Sequence, residues 1–176
     1  MKTTGIIRRI DELGRIVIPK EIRKNLRIKD GENLEISIDD KSIILKKYSL
    51  MKKIEDFAQS FTDGIYLYIK KNIIITNRDS IIAVSGSLRK EYLNQEISNQ
   101  LNKFIDRREN IHEKYVKNIE IVEGLELEGT YAISAIIVNG DSAGLVIIFD
   151  DVETISEEEY RVIQIFSNFL SKYLEE

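Results

Sequence analysis

Four cationic side chains, Lys20, Arg23, Lys24 and Arg27, recur at the i, i+3, i+4, i+7 spacing that collects residues on one face of a helix. Glu21 falls off that face. Just upstream, Arg8 and Arg15 lie on two short β-branched stretches either side of the turn-forming run Asp11-Glu12-Leu13-Gly14. Alternation along the first stretch places Arg8 with Ile6 and Ile10 and turns Arg9 to the opposite side. A guanidinium grips phosphate, or the O6/N7 edge of guanine, with a planar fork, whereas a lysine offers a point charge. Asn and Gln are scarce in this segment, so adenine reading is weak. The chemistry on offer is phosphate neutralisation, with modest base contact and a share from duplex shape. The plainer reading is a solvated helix face whose cations complement the C-terminal dipole. The uniformity of the face, beside further arginines, favours a polyanion partner.

The placement of charge along the chain points the same way. The 176 residues carry a net charge of −4. Residues 1–50 hold 12 Lys/Arg against 8 Asp/Glu, and the remainder holds 14 against 22. A basic segment joined to an acidic one is the pattern of a nucleic-acid-facing part and a part that stays off it. Hydrophobic content of 43% and charged content of 32% describe a globular chain. No apolar run is long enough to span a bilayer and no signal peptide is visible, so a cytoplasmic location is expected. The absence of cysteine excludes disulfides and thiolate chemistry. With His112 as the one histidine, a structural zinc site is set aside, and that residue reads as an ordinary surface histidine. No cofactor or metal is implied.

These groups need elements to hold them. Gly5–Ile10 and Arg15–Ile18 read as strands. Pro19 suits the first turn of a helix over Lys20–Leu26, with Ile22 and Leu26 as its inward stripe. Lys29-Asp30-Gly31 is a turn, and Leu34, Ile36 and Ile38 alternate as a half-buried strand that returns through Ser42–Lys47. A unit of about fifty residues without disulfide or metal buries too little of its own surface, so dimerisation is expected. Residues 50–71 form an amphipathic helix with the stripe Ile54, Phe57, Phe61, Ile65 and Tyr68. Beyond it, Ile73–Thr76 and Ile81–Ser85 are strands, Leu88–Arg108 is a helix and Ile119–Val122 a strand. Tyr131–Val138 and Leu145–Phe149 pair around Asn139-Gly140-Asp141. A last helix starts near Ser156, with Glu159 as its capping partner and Tyr160, Ile163, Phe166 and Leu170 as its stripe. Ser85-Gly86-Ser87 could line a pocket and reads more simply as loop. The acidic pairs around Asp150-Asp151 and Glu157–Glu159 read as turn and helix-start charge, so no enzyme is expected.

Thr4–Ile36, which contains GIIRRIDELGRIVIPKEIRKNLRI, resembles the DNA-binding domain of the AbrB/SpoVT transition-state regulators. The later run TYAISAIIVNGDSAGLVIIF resembles the central hairpin of a GAF domain. The resemblance implies a two-domain chain: a mainly-β N-terminal swapped-hairpin dimer and an α+β GAF-like domain built on an antiparallel sheet. The expected boundaries are 1–50, a connecting helix at 51–71, and 72–176. It implies that Arg8, Arg15 and Arg23 face DNA, with Lys24 where arginine is frequent. Together with the spacing argument, the expected DNA-binding set is Arg8, Arg15, Lys20, Arg23, Lys24 and Arg27. The partners implied are double-stranded DNA and further copies of the chain, as dimer or tetramer, with room for an unidentified small-molecule ligand in the second domain. The expected function is transcription regulation in sporulation. The rival is an antitoxin of the same swapped-hairpin type, whose main partner is another protein.

Overall fold

A computed structural model describes residues 5–28, 30–31, 33–48, 51 and 54–175, apart from the side chain at position 56, and in it the chain divides into two units, Met1–Tyr48 and Ser49–Glu176. In the first unit Pro19, with φ −58°, precedes helix α1 (Lys20–Asn25). A proline costs nothing at such a start, where the N–H would be unpaired anyway. The helix ends when Arg27 turns left-handed at φ 52°. Ile28 N–H then donates to the Arg23 carbonyl at 2.8 Å and Arg27 N–H to that of Lys24 at 3.1 Å, the two bonds of a Schellman closure. Strands β1 (Leu34–Asp39) and β2 (Ser42–Lys47) pair antiparallel, from Leu34 opposite Lys47 to Asp39 opposite Ser42.

Two expectations for this unit are corrected. Gly5–Ile10 and Arg15–Ile18 are not strands; they are joined at their turn by Asp11 N–H to the Arg15 carbonyl (3.1 Å) and Gly14 N–H to the Asp11 carbonyl (3.0 Å). A two-stranded ribbon without a covered apolar face is marginal in water, and Ile7 here is 88% exposed. The β1 alternation is likewise not buried, with Ile38 83% exposed and Ile36 and Leu26 also open.

The second unit is an antiparallel sheet with helices on both faces. Its strands are β3 (Asn72–Thr76), β4 (Ile81–Ser85), β5 (Ile111–Val122), β6 (Leu125–Val138) and β7 (Asp141–Asp150), in the order β4-β3-β7-β6-β5. Helices α2 (Glu55–Ile69) and α5 (Glu157–Glu175) cover one face; the short α3 (Arg89–Tyr92) and α4 (Asn99–Arg107) belong to the other. Alternation divides each strand between two cores. Ile73, Ile75, Ala132 and Ile148 pack with Ile54, Ala58, Ile163 and Leu170. Ile74, Ile133, Ile147 and Phe149 pack with Tyr92, Leu101 and Ile105. Asn139 (φ 50°) and Gly140 (φ 86°) make the turn between Val138 and Asp141, as an Asn-Gly hairpin requires. Gly144 permits the close approach of β7 to β3: a Cβ there would lie 1.9 Å from the Thr76 carbonyl oxygen.

The helix expected over Leu88–Arg108 is broken. Asn94 turns left-handed at φ 66°, Ile97 bridges to Val122, and α4 restarts after Ser98, whose side chain accepts from Leu101 N–H. Strand β5 begins at Ile111 rather than Ile119, because Ile111, His112 and Glu113 pair with β6. The exposed middle between them and Ile119 mixes polar residues with Tyr115 and Val116 and shows no apolar alternation. On α2 the buried line is Ile54, Ala58 and Thr62, while Tyr68 of the expected stripe is exposed.

Candidate nucleic-acid interface

The expected basic residues are distributed over three pieces of the first unit. Arg8 and Arg15 lie on the two arms of the Asp11–Gly14 turn. Lys20, Arg23 and Lys24 lie on α1. Arg27 lies past the end of that helix in a left-handed conformation, so the helical spacing that grouped it with the other three does not apply to it. Arg8, Lys20, Lys24 and Arg27 are exposed and Arg23 is half-buried.

The turn is closed by the Asp11 carboxylate. Asp11 Oδ1 accepts Leu13 N–H at 3.0 Å and Arg15 N–H at 2.8 Å, and Oδ2 accepts Arg15 Nε–H at 2.7 Å. Those bonds, led by the backbone N–H and guanidinium of Arg15, hold the Asp11 carboxyl below its ordinary pKa. The Arg15 side chain still has 71% of its surface open. Arg23 differs. Its Nη1 is 3.7 Å from Asp30 Oδ1, beyond hydrogen-bond reach, and its Nε is buried with no hydrogen-bond partner among the described residues. The acidic partners of these arginines were not singled out in the sequence. The available signal was an aspartate opening a tight turn four residues before an arginine.

In the second unit, Ser85 ends β4 and Gly86-Ser87 is the braced loop that follows it. Asn72 Oδ1 accepts from the Ser87 hydroxyl and Leu88 N–H, both at 3.1 Å, and a Cβ on Gly86 would lie 2.4 Å from that same oxygen. Ser85 Oγ donates to Asp63 Oδ1 at 2.5 Å. The space between the sheet and the α3/α4 side is filled by Tyr92, Leu101, Ile105, Tyr131 and Phe149. An open groove of about 410 Å³ lies between β6 and α5, lined in part by Asn110, Ser134, Arg161 and Gln164. His112 is not a surface histidine: its side chain is 10% exposed, with Nε2 2.8 Å from the Ile155 carbonyl oxygen and its ring stacked on Tyr160 at 4.7 Å. On the outer side of α2 and α5, Phe61 stacks on Phe169 at 5.6 Å, and Phe169 stacks on Tyr173 at 6.2 Å. Ile165 beside them is 70% exposed. Among the described residues no helix is long and apolar enough to cross a membrane.

Comparison with known proteins fits this division. A family profile described as stage V sporulation protein T C-terminal, transcription factor, matches residues 53–175. Stage V sporulation protein T of Bacillus subtilis (strain 168) is 43% identical over 178 aligned positions, which cover 100% of both chains. The chain belongs to the stage V sporulation protein T family. Its first unit is similar to the transition state regulatory protein AbrB of the same organism, at 60% identity over 48 residues, 27% of this chain and 50% of that one. A profile for the antidote-toxin recognition protein MazE, a bacterial antitoxin, matches residues 7–53. The second unit has a GAF-like fold: the GAF domain of an Acinetobacter phosphoenolpyruvate-protein phosphotransferase superimposes with a TM-score of 0.56 at 14% identity, covering 73% of this chain and 84% of that one.

Proposed function

We propose that this member of the family regulates sporulation genes by binding double-stranded DNA through its first unit, as a homo-oligomer in the cytoplasm and without enzymatic activity. The observation that carries the reading is the exposed basic surface around the Asp11–Gly14 turn and α1, on a segment 60% identical to AbrB. Arg8, Arg15, Lys20, Arg23, Lys24 and Arg27 are its contacts, with the forks of Arg8, Arg15 and Arg23 as the groups able to reach base edges.

Dimerisation through residues 1–50 accounts for the apolar side chains left open there. Ile7, Ile10, Ile16, Val17, Ile36 and Ile38 are all exposed in one chain, and burying a side chain of this size contributes roughly 1.5–3 kcal/mol. Interlocking with a second copy covers them and supplies the ladder partners that Gly5–Ile10 and Arg15–Ile18 lack. The second unit serves assembly rather than ligand capture in this reading. Its α3/α4 side is filled by its own side chains, whereas Phe61, Ile165, Phe169 and Tyr173 leave an apolar surface open on α2 and α5. Joining dimers there gives a tetramer with two DNA surfaces, and avidity between them.

The test is binding of the full chain to promoter DNA against salt. If Arg8, Arg15, Arg23 and Lys24 of both protomers meet phosphates, log K falls with log salt at a slope of about −7. A slope near zero overturns the reading. The antitoxin alternative is favoured by the match over residues 7–53. Co-purification of a stoichiometric small protein partner would replace the DNA reading with it.

A further inference from the structure

We propose that Asp11 is a positioning residue for DNA recognition: its carboxylate holds the Arg15 guanidinium by Nε and thereby presents the two Nη groups outward as a preset fork. The inference rests on the reading of Arg15 as a DNA contact and adds to it the residue that sets its geometry.

The two residues are locked together at three points. Asp11 N–H donates to the Arg15 carbonyl (3.1 Å), Arg15 N–H donates to Asp11 Oδ1 (2.8 Å), and Arg15 Nε–H donates to Asp11 Oδ2 (2.7 Å). The same Oδ1 takes Leu13 N–H at 3.0 Å, so the carboxylate is oriented by backbone before it meets the guanidinium. An arginine has five donors, and Nε carries one of them. Engaging that edge leaves the other four on the exposed end of the side chain. A free arginine loses rotamer freedom when it binds; one already held at Nε has lost part of it during folding. Asp30 does not do this for Arg23, since it stands 3.7 Å away with its own side chain fully in solvent.

A carboxylate beside a phosphate-binding arginine has a second, opposite consequence. As a bare negative charge it repels the duplex, so neutralising it should tighten binding to any sequence. As a positioning group its loss should weaken the contact that depends on Arg15 geometry. The two roles differ in sign.

The full-length chain is compared as wild type, Asp11→Asn, Arg15→Ala and the double variant. Each is titrated by fluorescence anisotropy against a duplex that the wild type selects from a random-sequence pool and against a shuffled duplex of the same composition. Asparagine keeps an Oδ1 for the Leu13 and Arg15 N–H groups and lacks the Oδ2 acceptor. Positioning requires Asp11→Asn to lose about tenfold in affinity for the selected duplex, the scale of one charge-assisted hydrogen bond, with equal or tighter binding to the shuffled one. On the Arg15→Ala background the same substitution must cause no further loss of selectivity. The ratio between duplexes, taken on one preparation, cancels any difference in folded fraction. Equal tightening toward both duplexes overturns the positioning role and leaves the DNA reading standing. An Arg15→Ala chain that binds the selected duplex like wild type overturns the positioning role together with the reading of Arg15 as a DNA contact.

Discussion

The side-chain amide of Gln59 pairs with the backbone of Val84 as a neighbouring strand would: Gln59 Nε2 donates to the Val84 carbonyl at 2.8 Å, and Val84 N–H donates to Gln59 Oε1 at 3.2 Å. Strand β4 ends the sheet, and an open edge is a template for unwanted pairing. Helix α2 therefore closes that edge at Val84. Gln59→Leu leaves two backbone groups unpaired at the helix–strand contact and should cost about 2 kcal/mol, read as a lower urea midpoint with unchanged slope. A midpoint equal to wild type would mean that water replaces the amide without cost.

Lys71, the residue before strand β3, is a buried cation. Its Nζ donates to the Thr154 carbonyl and to Glu159 Oε2, each at 2.9 Å. Glu159 also accepts Ser156 N–H at 2.7 Å in the capping box of α5. Glu159→Ala removes the hydrogen-bonded carboxylate of a buried charge, leaving Glu153 Oε2 at 3.7 Å, and should destabilise by about 3 kcal/mol. Lys71→Met, which removes the charge and retains most of the volume, should cost clearly less. Equal losses would show that cap and packing, not the ion pair, set the stability.

Gly144 has no space for a side chain. With Thr76 backbone 1.9 Å from any added Cβ, Gly144→Ala must push β7 away from β3 in the middle of the sheet. A loss of about 3 kcal/mol or more is expected, with a correspondingly lower thermal midpoint. Gly124→Ala, where a Cβ meets nothing within 4 Å at φ 78°, should cost only the strain of a left-handed residue, about 1 kcal/mol.

Acid should weaken the fold only below the ordinary carboxylate range. Glu113, Glu157 and Glu175 are each held below the usual glutamate value of 4.5, first by side-chain hydrogen bonds from Lys117, Lys114 and Lys172 respectively. A depressed folded pKa contributes stability above the unfolded value, and that stability is lost as pH falls through the folded one. The thermal midpoint should be level from neutrality to about pH 5 and fall below it. Glu157 and Glu175 are exposed and Glu113 is half-buried, so 1 M salt should reduce the drop without abolishing it. A midpoint that already falls between pH 7 and 6 would show that these three carboxylates do not set the acid limit of the fold.

The α2/α5 surface makes a prediction about assembly. Ile165→Glu combined with Phe169→Glu places charges on an apolar patch without touching the buried Ile163 or Leu170. Light scattering should then give a dimer in place of a tetramer, with the thermal midpoint little changed. A double variant that keeps the wild-type mass would remove this surface from the assembly.

The sequence by itself determined the features whose cause lies within a turn or two of chain. Pro19 ahead of α1, Asn139-Gly140 between β6 and β7, and Ser156 with Glu159 at the head of α5 all depend on local backbone geometry, and each stands where its signal lies. The basic spacing of Lys20, Arg23 and Lys24 is legible for the same reason. Tertiary structure alone decided the rest. Ile97 leaves the expected helix because Val122, distant in sequence, offers it a bridge. β5 extends back to Ile111 because β6 pairs with it, although its solvent-facing residues show no apolar rhythm. His112 is covered by Tyr160 and Ile155, both distant in sequence. Pairing and burial are set by partners far along the chain, and a residue's own neighbours in sequence do not encode them.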